Sequence, residues 1–298
     1  MKTIPRTGQF LNIGAISPGV RLIALLAVVL FVSCRDVRPV KVGFIGGLSG
    51  RDADLGIAGR DGALLAVEEA NRTGGIRGRR IELVSWDDRQ DAETARRALA
   101  ELAREGVRVV VGPMTSSMAV AVVPIANERK ILLVSPTTST DELEGLDDFF
   151  LRVYPSADRG APILARHLYR DAGKDRVSIV YDLGNRAYTE SFAGAFEKEF
   201  VSIGGTVTGT STFTSGPDVD FLGLAREIAD RGAPAVHIVA NALDTAMLCQ
   251  QFSKIGYSPL VVTGEWSVTP DILSFGGHTM EGLRFFHTFN RSSTPEAY

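Results

Sequence analysis

The chain has 298 residues, 45% of them hydrophobic, and a formal net charge of −3. That length suits two lobes or one large α/β domain, and the weakly acidic, interspersed charge excludes an electrostatic footprint for nucleic acid. Its two cysteines, Cys34 and Cys249, stand far apart, which argues against a disulfide framework or a metal site.

The N-terminus reads as an export signal. Lys2, Arg6 and Arg21 precede an unbroken apolar run, Leu22 to Val32, which leads into Ser33 and Cys34. The run is shorter than the roughly 20 residues a membrane helix needs and fits the apolar region of a signal peptide. Ser33-Cys34 is similar to a bacterial lipobox, in which the cysteine is acylated and becomes the new N-terminus. Phe31 stands where such boxes usually carry Leu. This reading gives a signal at 1–33, a lipidated linker at 34–39, and an exported protein. It would sit in the periplasm or on the outer face of the membrane, anchored through Cys34. An ordinary signal with an incidental cysteine is the alternative.

Strands and helices then alternate. Val40 to Ile45 is apolar and β-branched, as a buried strand requires, and glycines at 46, 47 and 50 turn the chain. Ala63, Leu64, Val67 and Ala70 recur at helical spacing within a helix from about Gly59 to Asn71, stopped by Thr73-Gly74-Gly75. Strands are predicted at 81–86, 107–111 and 131–134, with helices at 94–104 and 117–127 between them. A strand at 149–153 then crosses to a second series. There, helices at 160–171, 189–203, 221–230 and 243–255 alternate with strands at 177–181, 206–213, 235–239 and 260–263. A last strand is predicted at 283–286, and Cys249 within its helix reads as a small buried hydrophobe. The alternation implies two α/β lobes with parallel, Rossmann-like sheets, each binding at the carboxyl ends of its strands.

The loops at those strand ends carry the chemistry. After Val111 come Gly112-Pro113-Met114-Thr115-Ser116-Ser117, and after Val134 come Ser135-Pro136-Thr137-Thr138-Ser139-Thr140. Hydroxyl residues and free N–H groups at a helix start suit a ligand carboxylate. They serve equally as ordinary helix caps.

From about Val40 to its end the chain resembles the type I periplasmic binding proteins of the leucine/isoleucine/valine-binding family, the extracytoplasmic receptors of ABC importers. The resemblance rests on Gly46-Gly47-Leu48-Ser49-Gly50, Gly62-Ala63, Ala66-Val67-Glu68-Glu69-Ala70-Asn71 and Thr73-Gly74-Gly75-Ile76-Arg77-Gly78. Asp87-Asp88, Val111-Gly112-Pro113, Ser135-Pro136-Thr137 and Glu281-Gly282 continue it. It implies two lobes, 40–155 plus 283–298 and 156–282, closing about a hinge on an amino acid, branched-chain or related. It also implies a monomer that partners ABC permease subunits, needs no cofactor and catalyses nothing.

By resemblance, the ligand carboxylate falls to Ser116 and its neighbour Ser117, and to Thr137 and Ser139. Tyr188 would close from the second lobe, and Glu265 would receive the ligand ammonium. Asn241 and Leu55 stand where relatives often carry aromatics, a departure bearing on branched-chain specificity. Tyr188 could instead be a packing aromatic, and an arginine could instead partner Glu265. Relatives usually continue through further elements of the first lobe. A chain ending at Tyr298 is therefore expected to leave part of that core exposed and to be poorly soluble.

Two rival readings stand beside this one. An exported α/β enzyme is disfavoured because Gly43, Gly46, Gly47 and Gly50 do not form a dinucleotide fingerprint, and neither a Walker A sequence nor a nucleophile elbow occurs. The four histidines, 167, 237, 278 and 287, lack metal-ligand spacing. A sensor that signals occupancy to a membrane partner would use the same binding chemistry.

Overall fold

The computed structural model describes residues 38–51 and 53–288, together with Gly19. The expected export signal, Gly19 apart, lies outside the described residues, as do Cys34 and the last ten residues. No described helix is long and apolar enough to cross a membrane.

Among the described residues ten strands form two five-stranded sheets, each strand pairing in parallel. The first sheet contains β1 (Val40–Gly46), β2 (Ile81–Asp87), β3 (Val109–Val111), β4 (Leu132–Ser135) and β5 (Phe150–Arg152), in the order β2-β1-β3-β4-β5. Helices α1 (Ala53–Arg72), α2 (Ala92–Arg104) and α3 (Ser116–Arg129) make its crossovers. The chain then passes through 153–156 into α4 (Ala157–Arg166), which continues as a π-turn over His167–Asp171. The second sheet contains β6 (Arg176–Asp182), β7 (Thr206–Phe213), β8 (Ala235–Val239), β9 (Leu260–Thr263) and β10 (Arg284–Phe285), in the order β10-β9-β8-β6-β7. Its crossovers are α5 (Arg186–Ser202), α6 (Phe221–Asp230), α7 (Ala242–Lys254) and α8 (Pro270–Gly276).

The second sheet is packed on both faces. Ala161 and Leu164 of α4 and Phe192, Phe196 and Phe200 of α5 cover one face, with Ile179 and Val262 beneath them. Phe221, Ala225 and Ile228 of α6 and Leu248 and Phe252 of α7 cover the other. Cys249 is buried there, and burial pushes its thiol up to about 12. The first sheet is packed firmly on one face only, where Leu99 and Leu102 of α2 and Val122 and Ala126 of α3 lie on Ile45, Val110 and Leu133. On its other face α1 buries Gly56 alone. Between α1 and the sheet runs an apolar groove of about 570 Å³ lined by Val42, Leu83, Met114 and Ala66 among others.

Three departures from the sequence expectations have physical causes. The first helix begins at Ala53, six residues before the expected start, because its glycines serve close approach. A Cβ at Gly56 would stand 1.8 Å from the Gly47 carbonyl oxygen. Helix α8 has no counterpart in the sequence expectations; it is short and opens on Pro270 at its first turn. Finally, the sequence expectation returns the chain to the first lobe at residue 283, but β10 lies in the second sheet, Arg284 opposite Val262 and Phe285 opposite Thr263. Gly282, at φ +80°, turns the chain, and Leu283 packs beside the Ile272 and Met280 cluster, which keeps this strand with the second sheet.

Candidate functional site

The carboxyl ends of the two sheets face each other across a small cavity of about 80 Å³. Leu55, Met114, Thr115, Ser116, Thr137 and Ser139 line it from the first lobe. Asn185, Tyr188, Glu265 and Trp266 line it from the second, and Tyr154 from the segment between them.

The first-lobe wall is built by the β3–α3 and β4–β5 connections. Ser116 opens α3, and its Oγ accepts from the backbone N–H groups of Ser139 (3.2 Å) and Thr140 (3.3 Å). With its lone pairs so used, the hydroxyl keeps its proton to donate. Thr137 Oγ1 donates to the Met114 carbonyl at 2.5 Å and is left as an acceptor. The Ser139 hydroxyl makes no hydrogen bond with the described residues. Thr115 donates to Gln90 Oε1 at 2.8 Å, which holds it beside the α3 N-terminus. The N-terminal end of α3 adds positive potential, with the Ser117 N–H already taken by Asn185 Oδ1, so this wall suits an anion.

The second-lobe wall is aromatic and acidic. Tyr188 lies in the first turn of α5, buried, with its ring 5.8 Å from Trp266 edge-on and 5.5 Å from Phe192. Gly264 permits this: a Cβ there would meet the Tyr188 hydroxyl at 2.3 Å. Glu265 comes directly after β9 and Gly264, and accepts from the Tyr154 hydroxyl, from His287 Nδ1 and, at 2.9 Å, from the Thr288 N–H. Burial, with the Glu265 carboxylate nearby, raises the Tyr154 and Tyr188 phenols well above their usual range, so both keep their protons.

Of the eight residues that the sequence marks for ligand binding, six line the cavity: Leu55, Ser116, Thr137, Ser139, Tyr188 and Glu265. Ser117 does not; its N–H donates to Asn185 Oδ1 (3.1 Å) and its Oγ accepts from the Ala187 N–H (3.2 Å), a seam between the lobes. Asn241 does not either. It caps α7, accepting from the Asp244 N–H (2.7 Å) and donating to Asp244 Oδ2 (2.9 Å). The alternative partner for Glu265, an arginine, is not among its hydrogen-bond partners in the described residues. Met114, Thr115, Tyr154, Asn185 and Trp266 complete the wall. Tyr154 follows the predicted strand 149–153 at the crossing between the lobes, a place the sequence marks as a connector and not as a ligand contact. Among the described residues no cluster of three His, Cys, Asp or Glu side chains could hold a metal ion.

More polar bonds fasten the rim. Arg51 pairs with the buried Asp244 at 2.5 Å, and Thr269 donates to Asp54 Oδ2 at 2.6 Å. The Asp141 N–H donates to Ser191 Oγ at 3.4 Å on the other side.

Residues 39–298 match the family model described as periplasmic binding protein. A Leu/Ile/Val-binding protein homolog 3 from Brucella melitensis is 28% identical over 87% of this chain and 70% of its own length. The Leu/Ile/Val-binding protein of Escherichia coli is 23% identical over 93% and 75%. A crystal structure of a leucine-binding protein from Thermotoga maritima superposes with a TM-score of 0.79 at 25% identity, covering 86% of this chain and 72% of that one. A Rhodopseudomonas palustris solute-binding protein in complex with benzoate gives 0.77 at 22% identity, over 87% and 71%.

Proposed function

Since the chain belongs to the periplasmic binding protein family, type I, we propose that it is an exported receptor of an ABC importer that encloses an α-amino acid, branched-chain or related, without chemical change. One observation carries the reading. The cavity sets hydroxyls and a helix N-terminus against a carboxylate and aromatics, a polarity that complements the carboxylate, ammonium and apolar side chain of such a ligand. The names of its relatives, Leu/Ile/Val-binding proteins, point the same way.

In this reading Ser116 and Ser139 donate to the ligand carboxylate, Glu265 receives the ammonium, and Leu55, Met114, Tyr188 and Trp266 enclose the side chain. Cys34 anchors the mature chain through lipid. Contacts to both lobes favour closure, and the permease reads the closed form. Periplasmic binding proteins are a standard example of such hinge closure.

Isothermal titration of the protein without its first 33 residues tests this, against L-leucine, L-isoleucine, L-valine, L-alanine and benzoate. Saturable heat with an amino acid, weakened at least tenfold by Glu265→Gln, is the expected result. A folded protein that binds none of the amino acids refutes the reading, and benzoate binding alone would reassign the ligand to aromatic acids. Fatty-acid labelling lost on Cys34→Ala tests the anchor.

A further inference from the structure

The acceptor capacity of Glu265 is almost used up within the chain. Its Oε1 accepts from His287 Nδ1 and the Thr288 N–H, with Thr288 Oγ1 at 3.3 Å, while its Oε2 accepts only from the Tyr154 hydroxyl among the described residues. A carboxylate offers about four lone-pair positions, so one remains open, on Oε2. A ligand ammonium carries three N–H donors and would find a single free position there.

Tyr154 supplies the rest of the seat. It lines the cavity beside Glu265. Its proton is committed to Oε2, and of the two lone pairs on its oxygen one faces the Thr288 side chain, which leaves one acceptor position for a ligand. Its place in the chain is also distinctive. The neighbouring Val153 N–H donates to the Ser135 carbonyl (3.2 Å), and the Ala157 N–H donates to the Ser139 carbonyl (2.8 Å). The backbone around Tyr154 is thus tied to the first-lobe loop that carries Thr137 and Ser139, while its hydroxyl is tied to the second lobe's carboxylate.

We infer that Tyr154 is a ligand-contacting, specificity-determining residue: Tyr154 Oη and Glu265 Oε2 together form the seat for the ligand's amine, with His287 and Thr288 fixing the carboxylate behind it. This deepens the amino-acid reading and rests on it. Removing the Tyr154 hydroxyl deletes one acceptor and frees Oε2 to turn, so it penalises ligands that carry an amine. Their des-amino counterparts, which make no use of the seat, lose nothing.

The experiment is titration of wild type and Tyr154→Phe with matched pairs: L-leucine and 4-methylpentanoate, L-valine and 3-methylbutanoate, L-alanine and propanoate. Phe keeps the ring packing, and an unchanged melt in the absence of additive checks the fold. The expected result is a roughly tenfold loss for the amino acids, equal to about 1.4 kcal/mol, with the des-amino acids unchanged. That loss should shrink on the Glu265→Gln background, since the two groups act as a unit. An equal loss for both members of each pair, or no loss for either, overturns the assignment while leaving the receptor reading intact. Wild type that binds no amino acid overturns both.

Discussion

Ser116 shows how one side chain serves both fold and site. Its hydroxyl accepts from two backbone N–H groups in the neighbouring loop, so Ser116→Ala would leave two donors without a partner in a buried place. The expected cost is about 1–3 kcal/mol, read as a lower urea midpoint at unchanged slope. Two other buried groups respond to pH with opposite sign. Asp88 is desolvated beside Asp87 and Asp91, which raises it from 3.8 to about 6. The folded protein therefore holds this proton more tightly than the unfolded chain, and stability falls as pH rises from about 4 to 6. His237, buried against Phe196, is lowered from 6.5 to about 4. Its contribution is present above about 6.5 and is lost as pH falls towards 4. The two slopes oppose each other across the same window. Asp88→Asn removes one of them, and its Oδ1 can still accept from the Gln90 N–H. The variant should be more stable than wild type at pH 7, by about 3 kcal/mol at most, and its stability should climb from pH 4 to 6.5. Urea melts at four pH values read both effects, and a variant curve parallel to wild type would refute the assignment to Asp88.

At the scale of elements, helix α1 separates two uses of glycine. Gly56 faces the Gly47 carbonyl too closely for any Cβ, whereas a Cβ at Gly62 would meet nothing within 4 Å. Gly62→Ala should therefore stabilise the protein by about 0.5–1 kcal/mol through helix propensity. Gly56→Ala should destabilise it by more than that, because backbone must move; thermal melts of the pair give the sign of each. The same helix shows where the sequence is mute. Apolar periodicity locates the helix from Gly59 onward, but a run containing glycines at 56, 59 and 62 looks like a loop until the strand it must approach is known. The parallel α/β alternation is legible through most of the chain, because β1, β3, β4, β8 and β9 are short, largely apolar runs between stretches of helical spacing, whereas α8 leaves no such mark. β10 is legible as a strand but not in its partner, since two exposed residues carry no mark of which sheet they join. Within the site, the loops after strands announce Ser116, Thr137, Ser139 and Glu265 by position. Asn241 obeys the same logic, yet its side chain turns back to cap α7. Tyr154 is silent because nothing local distinguishes a connector that passes a cavity from one that does not.

At the scale of the whole molecule, the bonds between lobes outside the cavity set how readily it opens. Asp244 is fully buried, and Arg51 is its one cationic partner among the described residues; its other carboxylate oxygen accepts from Asn241. Opening the lobes would carry Arg51 away with the first lobe and leave this carboxylate to water and Asn241 alone. The pair thus contributes only to the closed state. Arg51 is about one-third exposed, so solvent screens the attraction and its worth falls to about 1–2 kcal/mol, well below that of a fully buried pair. Arg51→Ala should therefore weaken every ligand by a similar factor, about tenfold, through faster dissociation and not slower association. The pattern differs from that expected at Tyr154, where amine-bearing ligands alone suffer. Asp54, whose carboxylate accepts from Thr269 across the same rim, should behave alike but more weakly, since its partner is neutral. Small-angle scattering reads the closure equilibrium without reference to any ligand. A larger radius of gyration for Arg51→Ala than for wild type in ligand-free buffer is the expected outcome. Unchanged scattering together with unchanged dissociation rates would show that the rim bonds do not govern closure, leaving that role to contacts made inside the cavity.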